Sequence, residues 1–230
     1  MEAPAQEITT LARPVLGLSF TAGYIDALGF VDLHGVYTGA MTGNTVQLGI
    51  TVAHADFSQL GLIAATLGSF FAGAILASFV KRRLPRSQLL LLVVMGLLGI
   101  AQALRLINGG PLLLELPLLA MAMAMQGQTI SRFGATAMQT VVMTSNLLKF
   151  ADALVGRFFD GRARRGASGA RTPLAEVILP GCGWIGYTIG AASGVLAAAT
   201  LATPFLPPII ILAVVCGDLL WHDRPATPQS

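Results

Sequence analysis

Residues 139–152 read QTVVMTSNLLKFAD, and residues 37–50 read YTGAMTGNTVQLGI. Met143-Thr144-x-Asn146 repeats Met41-Thr42-x-Asn44, with residue numbers that differ by 102. Carried outward without gaps, this offset pairs an apolar segment at 15–33 with one at 117–135. The segments that follow, 58–80 and 88–107, match 174–200 and 205–221 in order once a basic loop near 157–171 is allowed as an insertion. The pattern predicts one membrane domain over 1–230, duplicated internally, with halves at 15–107 and 112–221.

Composition names the solvent. Of 230 residues, 54% are hydrophobic and 11% charged, whereas a soluble domain carries about 25% charged residues. Mean hydropathy is +0.73. A surface this apolar needs lipid, so the bilayer is the first expected partner. Each crossing takes roughly 20 apolar residues, which allows about six spans in an all-α polytopic bundle.

The net charge of +3 is not a nucleic-acid signal, because the positive residues sit in two loops. One holds Lys81, Arg82, Arg83 and Arg86; the other runs from Arg157 to Arg171 with Arg162, Arg164 and Arg165. Lys and Arg are kept on the cytoplasmic side, so both loops face the cytoplasm. Three apolar segments separate them, 88–107, 112–131 and 138–155, and three crossings would put the loops on opposite sides. The short segment 138–155 carries Lys149 and Asp152, which marks it as the one that re-enters. Irregular backbone at its tip must be buried in protein or line a wet cavity. If 38–54 behaves alike, each half crosses three times and the second half is inverted. Both termini are then cytoplasmic. Residues 1–14 lack the basic start of a secretory signal, so the first apolar segment is expected to stay as a span.

Asp26 lies about eleven residues into the first span, near mid-membrane at 1.5 Å per residue. Intramembrane acids face a cavity or a partner. Two readings stand: a proton or cation site, or a structural bond, with Arg105 or Arg132 as candidate partners. Asn and Thr are N-cap residues, so Thr42, Asn44, Thr144 and Asn146 predict two half-helix N-termini that frame a central site for an anion or polar solute. Ordinary polar packing between spans is the competing reading. Gln128 occupies the repeat position of Asp26, with Gln126 beside it and Arg132 nearer the cytoplasmic exit as an interfacial anchor.

Gly68, Gly73, Gly183, Gly186, Gly190 and Gly194 read as close helix packing. Cys182 and Cys216 read as small packing residues, and His34, His54 and His222 lack metal-ligand spacing, so no metal or cofactor is expected. Asp160-Gly161 with Arg-Ala-Arg has the start of a phosphatidyltransferase signature but not its downstream aspartates. No nucleophile–base, paired-carboxylate or phosphate-loop pattern is visible, and an enzyme is not expected.

Through Gly23-Tyr24-Ile25-Asp26-Ala27-Leu28-Gly29-Phe30 and Thr38-Gly39-x-Met41-Thr42-Gly43-Asn44-Thr45, the chain resembles the YoaK-like family of bacterial membrane proteins. The resemblance covers nearly the whole chain. It implies six spans and a bacterial inner-membrane location, and it brings no substrate. The expected function is a small-solute transporter or channel. Asp26 would serve as coupling or selectivity carboxylate, Thr42, Asn44, Thr144 and Asn146 would line the midplane site, and Tyr24 and Gln128 would lie beside it. The alternative is a non-transporting membrane scaffold or regulatory subunit. A homodimer suits a short transporter of this build, although no residue pattern specifies one.

Overall fold

The computed structural model describes residues 5–83, 86–111, 113–130, 132–134, 136–159 and 172–222. Arg162, Arg164, Arg165, Arg171 and the Asp160-Gly161 pair lie outside the described residues. The helices are α1 (Ala5–Asp32), α2 (Met41–His54), α3 (Phe57–Arg83), α4 (Leu90–Asn108), α5 (Glu115–Thr129), α6 (Met143–Phe158), α7 (Leu174–Thr200) and α8 (Leu206–His222). One 3-10 turn, Ser87–Leu89, precedes α4. A two-residue antiparallel pair, β1 (Arg132–Phe133) with β2 (Thr136–Ala137), lies between α5 and α6.

Four helices, α1 from Ile8, α3, α4 and α7, are long and apolar enough to cross a bilayer. α8 is a shorter apolar helix, and α5 has 15 residues. Large apolar side chains such as Phe71, Ile75, Phe79, Ile189 and Leu196 point outward, which is how a helical surface meets lipid. The chain is an all-α membrane bundle, as its composition requires.

Two of the described helices, α2 and α6, start inside the bundle and return to the end from which the chain entered. α1 finishes at Asp32, where His34 (φ 58°) and Gly35 (φ 72°) reverse the chain. Residues 36–40 then run back along α1 until Gly39 meets Asp26, about 9 Å inside the end of α1 at 1.5 Å per residue. α2 starts there and returns: Gln47 Nε2 donates to Gly35 O at 2.9 Å, and Gln59, on the first turn of α3, donates to His34 O at 3.1 Å. α6 behaves in the same way at the opposite end. After α5 the chain turns through the β1–β2 pair, comes inward to Val141 beside Gly127, and α6 runs back until Arg157 donates to Thr172 O at 2.9 Å, just before α7.

The apolar segment expected at 138–155 is helical only from Met143: residues 138 and 139 have no regular structure, and a turn at 140–141, with Val142 N–H donating to Gln139 O at 3.4 Å, leads into α6. The caps also differ from expectation. The N-cap positions are Ala40 and Val142, neither with a side-chain cap bond. Asn44 and Asn146 lie inside the helices and point backward.

α1 and α5 form the buried centre, and α1 packs on α7 and α8 while α5 packs on α3 and α4. Small residues permit the approach: a Cβ on Gly190 would run into Phe20 O, and one on Gly73 would lie 2.8 Å from Met121 Cα. Between lipid-immersed helices such close packing, rather than water exclusion, drives association. Gly68 departs from this reading, since a side chain there would meet open space.

At the end away from Lys81–Arg83, a buried ion cluster joins α1, α4 and α5. Arg105 on α4 contacts Asp32 at 2.7 Å and Glu115 on α5 at 2.6 Å, and its guanidinium lies 4.8 Å above the Phe205 ring. Gln102 accepts from Phe205 N at 3.0 Å. Arg105 is therefore engaged here and is not a partner of Asp26.

Candidate functional site

Asp26 is buried, and four donors surround its carboxylate. Oδ1 accepts from Thr38 Oγ1 at 3.0 Å and from the backbone N–H groups of Gly39 and Ala40. Oδ2 accepts from the Tyr187 hydroxyl at 2.6 Å. An ionised carboxylate only accepts, so this arrangement fastens 38–40, the extended chain that launches α2, to the middle of α1. Tyr187 adds α7 to the same knot.

The two asparagines act on the same chain segments. Asn44 accepts from Tyr37 N at 2.9 Å and donates to Tyr37 O at 2.7 Å. Asn146 donates to Gln139 O at 2.7 Å. Residues 37 and 139 differ by 102, so corresponding asparagines grip corresponding backbone positions. The two segments also touch. A Cβ on Gly39 would sit 3.2 Å from Val141 Cγ1 and 2.7 Å from Met123 Cε, and 39 and 141 again differ by 102.

Where the two half-helices begin there is a cavity of about 590 Å³. Tyr37, Gly39, Ala40, Met41 and Thr42 form one part of its wall, and Gln139, Val141, Val142, Met143 and Thr144 form the corresponding part. α3 contributes Phe70 and Ala74, α5 contributes Gln128, and α7 contributes Tyr187. The side chains of Thr42, Gln128, Gln139 and Thr144 have no protein hydrogen-bond partner among the described residues.

The structure thus brings together Thr42, Thr144 and Gln128 on the cavity wall. Asn44 and Asn146 are fully buried behind it, holding loops. Asp26 also lies behind the wall and meets it through Tyr187. Tyr24 points away, its hydroxyl donating to Pro204 O at 2.7 Å. Arg132 is exposed in β1 near the end of α5.

Three wall residues were missed. Tyr37 and Gln139 were within reach, because the 102-residue register extends to them without a gap. Tyr187 carried no signal, since the long basic loop breaks that register before α7.

A bundle of long apolar helices with lipid-facing flanks makes this a multi-pass membrane protein. The chain belongs to the family described as Protein of unknown function (DUF1275), whose model matches residues 15–217. It is 24% identical over 187 residues to the UPF0700 transmembrane protein YoaK of Bacillus subtilis (strain 168), a match covering 76% of this chain and 78% of that protein. The YoaK-like resemblance carried by the Asp26 and Asn44 motifs is therefore borne out. No solved structure matches the chain.

Proposed function

We propose that the protein is a small-solute transporter or channel of the bacterial inner membrane, with the 590 Å³ cavity as its binding site. One observation carries this reading: Thr42, Gln128, Gln139 and Thr144, drawn from both halves, line the cavity, exposed and without a protein hydrogen-bond partner among the described residues. Polar groups inside a membrane protein need water, a solute or each other. Segments separated by 102 residues supply matching parts of the wall, which supports an inverted repeat with halves at 15–107 and 112–221. In this reading both basic loops and both termini are cytoplasmic. Transport then consists of one repeat rocking against the other about the Gly39–Val141 contact. No step involves covalent chemistry.

The solute is small and polar: the described residues of the wall include no cationic or acidic side chain, which suits a neutral solute, and the paired N-termini of α2 and α6 suit an anion. Proton or cation coupling, if the carrier has it, runs through Tyr187, which both lines the cavity and holds Asp26. The test is solute-driven swelling of proteoliposomes in gradients of glycerol, urea and formate. Flux of one solute should fall sharply in both Thr42→Val and Thr144→Val with folding intact. Equal flux in wild type, variants and empty liposomes for all three solutes would abandon the reading for these solutes.

A scaffold or regulatory role is the second reading. The saturated coordination of Asp26 favours it, since a carboxylate with four internal donors is fully accounted for by holding the loop. It predicts retention of a partner protein with no flux.

A further inference from the structure

A second pocket, of about 360 Å³, lies at the basic end of the bundle, where the last turns of α3, α5 and α8 meet α1 and the β1–β2 pair. Lys81 and Arg132 line it, and among the described residues neither meets a carboxylate. Lys81 Nζ donates to the backbone O of Gln128 at 2.9 Å. The Arg132 guanidinium has no hydrogen-bond or ion-pair partner among the described residues. Asp218 is the carboxylate on this wall, and His222, 3.5 Å away, stands beside it. The opposite wall is apolar, with Leu11 and Phe133.

We infer that this pocket binds the phosphate headgroup of an anionic glycerophospholipid. Three features converge on that occupant. Lys81 opens the Lys81-Arg82-Arg83 run, the point where α3 leaves its apolar segment and where lipid phosphates lie. Arg132 offers a planar fork suited to two phosphate oxygens, and Lys81 supplies a point charge. The apolar wall accepts the glycerol and the first methylenes. Basic pockets between spans on the cytoplasmic side have this use as a class. The site also reaches the central cavity: Lys81 holds the carbonyl of Gln128, whose side chain lines that cavity. The inference rests on the orientation proposed above, with the basic end at the inner leaflet, and not on transport.

The experiment is native mass spectrometry of the purified full chain with phosphatidylglycerol or phosphatidylcholine, with and without inorganic phosphate. Wild type should retain phosphatidylglycerol over phosphatidylcholine. Each cation contributes on the order of fivefold, so Arg132→Gln should weaken retention about fivefold and Lys81→Gln/Arg132→Gln roughly 30-fold. Arg132→Gln removes no hydrogen bond or ion pair among the described residues and serves as the variant that must fold. Equal retention of the two lipids, or unchanged retention in a folded Arg132→Gln, would overturn the proposal. Displacement of phosphatidylglycerol by millimolar inorganic phosphate would assign the pocket to free phosphate and reject the lipid. Side-specific labelling of Ser58→Cys, Gly109→Cys and Arg83→Cys checks the orientation separately, so a reversed bundle is distinguished from an empty pocket.

Discussion

The segments leading into α2 and α6 occupy corresponding places, yet they are held in different ways. In the first, Asp26 binds Thr38, Gly39 and Ala40 at once. In the second, Gln128 stands where Asp26 would be, and its exposed side chain lines the cavity and bonds none of these residues. Thr140, the counterpart of Thr38, is left buried with its hydroxyl unpartnered. Asn44 makes two bonds to Tyr37, whereas Asn146 makes one to Gln139 and its Oδ1 has no partner. The first entrance is held by more side-chain bonds than the second, where Asn146 and Lys149 each supply one, to Gln139 O and Ala137 O. If one half moves during transport, this difference makes 138–146 the yielding element, because fewer bonds must break there.

The largest effect should come from breaking the junction of α1, α4 and α5. Arg105→Met leaves Asp32 and Glu115 without their cation, and loss of one partner from a buried pair costs about 3–5 kcal/mol. Thermal unfolding in detergent should show the lowest midpoint in the series. A near wild-type midpoint would mean that the cluster is not the clasp between these helices.

Next in size is the contrast at the repeat positions themselves. Asp26→Asn should lose about 3 kcal/mol, since bonds to a charged acceptor contribute about 1.5–3 kcal/mol. Gln128→Ala should stay within about 0.5 kcal/mol of wild type, as substitutions away from packed or bonded groups do. Similar losses for both would erase the difference between the entrances.

Thr38→Val and Thr140→Val sharpen the comparison by sign. Thr38→Val removes a donor from Asp26 and should cost about 1–2 kcal/mol. Thr140→Val removes an unsatisfied buried hydroxyl and should be neutral or stabilising by about 1 kcal/mol. Matching losses in the unfolding midpoint would show that Thr140 has a partner after all. The smallest expected difference lies between Asn44→Ala and Asn146→Ala. With two bonds against one, Asn44→Ala should cost about 1 kcal/mol more.

Much of the scaffold was readable in the chain. The spans at 58–80, 88–107, 174–200 and 205–221 fall within a few residues of α3, α4, α7 and α8, because a bilayer-crossing helix needs one long apolar run and little else. The paired Met-Thr-x-Asn elements located both half-helices. The site was less legible. Thr42, Thr144 and Gln128 were found from repeat position, and Asn44 and Asn146 were placed on the wall because a polar residue near a helix start resembles a cap. Their side chains instead reach back seven residues to the loop, a contact set by how the chain reverses.

Sequence by itself determined the solvent, the all-α class, the paired elements and the residue at each position of the 102-residue register, all of which are local or periodic properties. About six spans were expected, and four helices of the described residues are long and apolar enough to cross. Tertiary structure alone decided which polar groups are satisfied and which face open space. Asp26 and Gln128 stand at equivalent positions, but one is enclosed by Thr38, Gly39, Ala40 and Tyr187 while the other faces a cavity. That outcome depends on donors from two separate segments, residues 38–40 and α7, converging within 3.3 Å of one carboxylate on α1. Such convergence is a property of packing between distant segments, and no local pattern encodes it.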